Sequence, residues 1–255
     1  SALRTLPSVN RGNVSLIAQR RHVSLFAYRV PSERVRALLP SAFGVEETHV
    51  EGRAMTWISV ESFLDQGAIG HSSFEQTNYR LHVLRNGEAC HWLLGTSLGS
   101  LSAVGARNLW PMLWHLGAME FRVAYDKSQR RYREYSLQTQ SQWANASWQI
   151  EDTGELIGLQ AIQELPASLR NSIVRNYFLR RDGIEGQQQM RLLDPLFTRG
   201  RLKSAQCDLL ERLRLLDNDE IKRPQLVAIQ PALSCQFGTP STATPTTNNR
   251  FLRVA

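Results

Sequence analysis

Short apolar runs with strand character, separated by turn residues, dominate the chain. After a polar lead-in over residues 1–20, Val23–Val30 (VSLFAYRV) reads as a strand. Pro31-Ser32 opens a helix with Ser32 as N-cap and Val35, Leu38 and Leu39 as its apolar face, and Pro40 stops it. Val45–Val50 and Arg53–Leu64 flank Glu51-Gly52 as a hairpin. On the second arm Ala54, Ile58 and Val60 point one way and Met55, Trp57 and Phe63 the other. A strand apolar on both sides is expected to be covered on both sides, as in a barrel with helices outside.

Thr77–Arg85 and Glu88–Thr96 flank Asn86-Gly87, the strongest short-range hairpin signal. A two-residue turn pairs Arg85 with Glu88, Val83 with Cys90, His82 with His91 and Leu81 with Trp92. One face then carries Tyr79, Leu81, Val83, Cys90, Trp92 and Leu94, and the other Asn78, Arg80, His82 and His91; a single bulge would shift this register. Residues 99–117 predict a short helix ending near Trp110-Pro111, then a second turn or helix. Strands follow at Glu120–Tyr125, Arg131–Gln138 and Gln142–Ile150. Pro166–Asn176 predicts a helix with Leu169, Ile173 and Val174 inward. Tyr177–Arg181 and Gln187–Leu193 form a hairpin about Asp182-Gly183. Ser204–Leu216 predicts an amphipathic helix with Cys207, Leu210 and Leu213 in one stripe, and Leu226–Phe237 a last strand. The sum is an α+β fold: a mainly antiparallel sheet, closed or nearly closed into a β-barrel, with a few flanking helices. It is read as one domain over residues 1–255, with its core at about 20–240 and a loose tail at 241–255.

Composition sharpens this in three ways. At 255 residues the chain suits a single barrel, a class that reaches about 250 residues as one domain. There is no run near the roughly 20 apolar residues of a membrane helix and no secretory leader pattern, so a soluble, cytoplasmic protein without membrane contact is expected. Cys90, Cys207 and Cys235 are odd in number and lack CxxC spacing, so buried thiols are expected rather than zinc or redox chemistry. The net charge of +7 rests on 30 basic residues, of which only Lys127, Lys203 and Lys222 are lysines and 27 are arginines. Arginine stays charged when buried and grips carboxylates through paired hydrogen bonds. Lysine is the side chain that can be tuned to a neutral amine for Schiff-base chemistry.

Several segments, in order, resemble one family. VRALLPSAF is similar to its leucine-leucine-proline segment, followed by the two-faced strand GRAMTWISVESF. FEQTNYRLHV, Phe74 to Val83, is similar to a Phe-Glu-x-x-Asn-x-Arg-x-x-Val strand. ARNLWPM, Ala106 to Met112, resembles a helix ending in proline, and NYFLRRDG with the segment after DPLF resembles a late hairpin and helix. Over about residues 20–240 the chain thus resembles the uncharacterised YqjF-like proteins of the acetoacetate decarboxylase-like superfamily. That resemblance implies a barrel with a pocket for a small keto or carboxylic acid. In the superfamily's decarboxylases a lysine pair follows a Gly-Tyr-Pro turn, one forming the imine and the other lowering its pKa. Here the matching stretch is Leu109-Trp110-Pro111-Met112-Leu113, with methionine and leucine at those places. Acetoacetate decarboxylation through a Schiff base is therefore not expected, and whether the chain is an enzyme at all stays open.

The candidate catalytic residues are Glu75 and Glu61, and the candidate ligand-binding residues are Asn78, Arg80, Arg107 and Trp110. In the pocket reading Arg80 grips a carboxylate, Asn78 orients it and Glu75 is a base or arginine partner. The alternative is a buried Glu–Arg pair that fixes the barrel, although alternation puts Glu75 and Arg80 on opposite faces. Glu61, within an apolar strand, would have its pKa raised by burial unless paired. Arg107 could hold an anion and Trp110 could wall the pocket; helix capping and packing explain them equally. His82 and His91 are cross-strand neighbours, but no third ligand is nominated, so neither a metal nor any other cofactor is expected. Nucleotide-binding and serine-hydrolase signatures are absent. The expected partner is a small anionic ligand. The alternatives are a non-catalytic small-molecule-binding domain, or an arginine-rich surface (Arg130, Arg131 and Arg133; Arg175, Arg180 and Arg181) meeting an anionic macromolecule. Nucleic acid is not expected, and a homo-oligomer is left open.

Overall fold

The computed structural model describes residues 16–66, 73–99 and 112–243. In chain order the strands are β1 (Leu16–Pro31), β2 (Gly44–Val45), β3 (Thr48–Val50), β4 (Arg53–Asp65), β5 (Phe74–Arg85), β6 (Glu88–Leu98), β7 (Trp114–Leu116), β8 (Ala118–Asp126), β9 (Arg131–Gln140), β10 (Ala146–Ile157), β11 (Ile173–Leu179), β12 (Glu185–Leu193), β13 (Phe197–Cys207), β14 (Leu226–Phe237) and β15 (Ser241–Thr242). The helices α1 (Ser32–Arg36), α2 (Ala167–Arg170), α3 (Asp208–Arg212) and α4 (Asn218–Ile221) are each four or five residues long.

Strand pairing returns on itself. The path runs β1–β4–β5–β6–β11–β12–β14 and back to β1, because β14 pairs both β1 and β12. Every joint in this ring is antiparallel except β6–β11. β14 divides its other edge: Ile229 and Ala228 pair β13, while Phe237 to Ser234 pair β12. From β13 the sheet continues through β10, β9 and β8. Two apolar clusters follow. One, with Phe26, Tyr28, Ile58, Val60, Tyr79 and Leu81 from ring strands, packs against Tyr135, Leu137 and Trp148 of β9 and β10; Phe26 stacks on Trp148 at 5.2 Å. The other, on the opposite face of the same ring strands, holds Leu25, Trp57, Phe63, Val174, Met190 and Leu233, with Leu165 and Leu169 from the α2 region. We call this second face the inner face.

A kink decides what else points inward. His22 has φ +50°, and the β1–β4 register shifts between Arg21 and Ser24. In β14, Pro231 lies between Gln230 and Ala232, whose partners Val23 and Arg21 flank His22; proline has no N–H for a ladder. The extra residue reverses the alternation, so even-numbered Ala18 joins odd-numbered Val23, Leu25 and Ala27 in the inner cluster. Arg20, on the same parity as Ala18, is buried with it.

The Asn86-Gly87 hairpin forms in the expected register, with Arg85 opposite Glu88 and His82 opposite His91, and a bulge follows between Tyr79 and Arg80. Five expectations are corrected. Residues from Leu16 belong to β1 rather than to a lead-in. Ser32 is the first residue of α1, whose N-cap is Pro31 with no side-chain cap. Pro166–Asn176 is helical only over α2, because Ile173 starts a strand and is itself exposed. Ser204–Leu216 is the end of β13 followed by the short α3: Ala205 and Cys207 are buried two apart, at strand spacing. Trp114–Leu116 forms a strand parallel to β6 rather than a turn or helix, and the helix expected before it lies outside the described residues.

Candidate functional site

The β4–β5 register sets Glu61 opposite Asn78 and Ser59 opposite Arg80. All four are at most 5% exposed, as is Arg20. Arg20 Nη1 donates to both Glu61 oxygens at 3.1 Å, and its guanidinium lies 3.9 Å over the Phe63 ring. Arg80 Nη2 donates to Glu61 Oε2 at 2.5 Å, and Asn78 Nδ2 to the same oxygen at 3.3 Å. Asn78 is fixed in turn: its Oδ1 accepts from Thr96 Oγ1 at 2.9 Å and from Gln76 Nε2 at 2.8 Å.

Burial alone would raise the Glu61 carboxyl, but the charges of Arg20 and Arg80, with hydrogen bonds from Arg80 and Asn78, outweigh it and hold it at about 2. Glu61 is thus an ionised counter-charge at neutral pH. Two guanidiniums bring ten N–H donors to one carboxylate with about four acceptor positions. The surplus is visible: Nε of both Arg20 and Arg80 is buried with no hydrogen-bond partner. Asp65, opposite Arg20 in the β1–β4 register, and the Cys235 thiol adjoin this group; burial pushes both pKa values up against the pull of Arg20.

A second polar arm continues along the inner face. His82 Nε2 lies 3.0 Å from Ser59 Oγ and its Nδ1 2.7 Å from Ser168 Oγ. Ser168 Oγ donates to Glu46 Oε2 at 3.3 Å, and Glu46 Oε1 accepts from the Ala167 N–H at 2.6 Å. His91 meets His82 edge-on at 4.8 Å and shares a 2.9 Å hydrogen bond between Nδ1 and Asn176 Oδ1. Burial, reinforced by neighbouring positive charge, holds His82 well below the usual histidine range and His91 at about 3, so both rings are neutral.

Of the residues singled out from sequence, Glu61, Asn78 and Arg80 converge. Glu75 does not: it projects from the other face of β5, half-buried against Gly99, and the partner of Arg80 is Glu61. Arg107 and Trp110 lie outside the described residues. Arg20, Ser59, Ser168 and Glu46 escaped sequence reasoning. The three cysteines are free and buried, and Cys90 and Cys207 are pushed up to about 12 by burial. All three lysines are exposed: Lys203 pairs with Glu151 and Lys222 with Asp219, and Lys127 lies in the β8–β9 turn. No helix among the described residues is long and apolar enough to cross a membrane.

Comparison of folds finds acetoacetate decarboxylases. The enzyme of Legionella pneumophila superposes with a TM-score of 0.58 at 12% identity, over 94% of this chain and 93% of that one. A second acetoacetate decarboxylase gives 0.57 at 14% identity, over 92% and 90%. An acetoacetate decarboxylase-like enzyme of Sphingomonas wittichii RW1 gives 0.56 at 9% identity, over 95% and 98%. At such identities the likeness is one of fold. Sequence comparison with functionally curated proteins gave no match. The family model described as DUF2071, uncharacterized conserved protein (COG2071), matches residues 18–179, a span holding Arg20, Glu61, Asn78, Arg80 and both buried histidines. With this match over more than half its length, the chain belongs to the DUF2071 family, and its fold is similar to those of acetoacetate decarboxylases.

Proposed function

We propose that the strand ring closes as a barrel and that its inner face binds a small carboxylate, of the keto- or carboxylic-acid class, against Arg20 and Arg80. The observation that carries this reading is the donor surplus: two buried guanidiniums share one carboxylate, and each keeps an unpartnered Nε. A buried cation with spare donors is stabilised by a second anion that takes them up. Asn78, braced by Thr96 and Gln76, supplies an oriented amide beside it. Glu61 serves here as fixed counter-charge rather than proton donor.

An imine route is not part of the proposal, because every lysine of the chain is exposed. The arginine-rich surface is a weaker reading. Arg133 pairs with Asp126 and Arg180 with Asp182, and Arg131 is tied to the Asp152 carbonyl, so part of this charge is answered within the chain. The reading of a non-catalytic binding domain shares the same cradle and differs only in the absence of turnover.

Calorimetric titration with pyruvate, 2-oxobutyrate, acetoacetate and lactate tests the proposal. At least one acid is expected to bind, and Arg80→Lys, which keeps the charge but loses the planar fork, should weaken it by about tenfold or more, or roughly 1.4 kcal/mol. No binding by any acid, or unchanged affinity in folded Arg80→Lys and Arg20→Lys proteins, would refute it.

A further inference from the structure

We propose that Ser59, His82, Ser168 and Glu46 form a proton relay that serves the acid held at Arg80, so that the protein catalyses proton exchange at the carbon next to the keto group of a 2-oxo acid. This rests on the carboxylate site proposed above and adds a reaction to it. Ser59 is the register partner of Arg80 and stands two residues from Glu61 on the same face of β4, which sets its hydroxyl beside the cradle. From there the hydrogen bonds are unbroken: 3.0 Å to His82 Nε2, 2.7 Å from Nδ1 to Ser168 Oγ, and 3.3 Å from that hydroxyl to Glu46 Oε2. Ser59, His82 and Ser168 are at most 2% exposed, whereas Glu46 is half-buried, so the chain of bonds leads from the interior toward solvent.

A histidine that only packs needs one fixed partner. His82 ends on hydroxyls at both nitrogens, and a hydroxyl donates and accepts with equal ease. A neutral imidazole between two hydroxyls can therefore run in either direction by exchanging tautomers.

The step balances without any co-reactant. The C3–H bond of the bound 2-oxo acid breaks and its electron pair forms the enolate, whose charge lies against the guanidiniums. Ser59 Oγ takes the proton while its own hydroxyl proton passes to His82 Nε2. The proton on Nδ1 passes to Ser168, and that of Ser168 to the Glu46 carboxylate. Glu46 then yields its proton to water, and the enolate leaves and takes a solvent hydrogen at C3. The relay resets when a solvent proton enters at Glu46 and the Ser59 hydroxyl proton passes to the water that replaces the ligand. Ser59 is the catalytic residue; His82, Ser168 and Glu46 act through it.

The test is loss of the C3 proton signals of pyruvate and 2-oxobutyrate in D2O, followed by proton NMR, with affinities measured in parallel by calorimetry. Protein-dependent exchange is expected. Ser59→Ala and His82→Asn should slow it by about 100-fold, at the low end of general acid–base contributions, with affinity within roughly threefold. Glu46→Gln keeps the side-chain shape and the acceptor for Ala167, so it should leave binding unchanged and still slow exchange by about tenfold or more. Acids that bind without exchange above buffer, or full exchange in Glu46→Gln or Ser59→Ala, overturn the relay and leave the carboxylate site standing. If no acid binds, both fall together.

Discussion

Glu61 holds two guanidiniums, so deleting its carboxylate leaves both buried without counter-charge. Glu61→Ala is expected to lower unfolding free energy by about 3–5 kcal/mol, measured by urea denaturation at pH 7. A loss below 1 kcal/mol would mean that the arginines find other partners. Acid should have a related effect. The Glu61 carboxyl is held at about 2, below its ordinary 4.5, and His91 at about 3, below 6.5. Both shifts are downward, so the stability tied to each group is complete above its unfolded value and drains away as pH falls toward its folded value. Unfolding free energy should therefore be level above about pH 7, decline from 6.5 as the unfolded chain protonates histidines that the fold keeps neutral, and steepen below 4.5 when Glu61 joins. His91→Gln should flatten the stretch between 6.5 and 4.5 by up to about 1.4 kcal/mol per pH unit. Asn78 and Arg80 were legible through the motif strand Phe74 to Val83, and Glu61 because a carboxylate interrupts a strand apolar on both faces. Arg20 was not. In its stretch Ile17 faces outward and the arginine inward, an inversion that hydrophobic patterning cannot register without knowing of the kink at His22.

Among elements, the β5–β6 hairpin was readable because its turn chemistry and its alternation agree. Asn86 and Gly87 have φ +52° and +80°, as a two-residue hairpin turn demands. Gly87→Ala should cost about 1 kcal/mol through the left-handed backbone alone, since nothing lies within 4 Å of the added methyl. Gly186→Ala should be worse for a different reason. A Cβ there meets the Phe178 ring at 2.3 Å across the β11–β12 pair, and a cost of about 1–3 kcal/mol is expected from overpacking, read from the same denaturation curves. An unchanged midpoint for Gly186→Ala would show that the ring yields freely. The two misread helices share a cause. Over Ser204–Leu216 the i, i+3 stripe of Cys207, Leu210 and Leu213 joins the last residue of a strand to one helical turn, and over Pro166–Asn176 one turn of helix runs straight into β11. A period spanning such a boundary matches a helix although neither part repeats long enough to be one.

At the scale of the molecule, β14 is shared by the ring and by the sheet that continues through β13 to β8, and one apolar cluster spans both. We expect one cooperative unfolding transition, with tryptophan fluorescence and far-ultraviolet circular dichroism superimposing; separated transitions would instead mark two independent units. A mainly antiparallel sheet was predictable in kind from hairpin density, but the one parallel joint of the ring, β6 with β11, was not, because it joins segments about eighty-five residues apart that carry no local signal. That topology also fixes an order of assembly. Arg20, Glu61, Asn78 and Arg80 leave the ribosome well over a hundred residues before the strand that completes the seam of Met190 to Leu193 against Phe237 to Ser234. A lining of charged side chains suits that interval, because guanidiniums can keep their water until the seam forms and then exchange it for the Glu61 carboxylate.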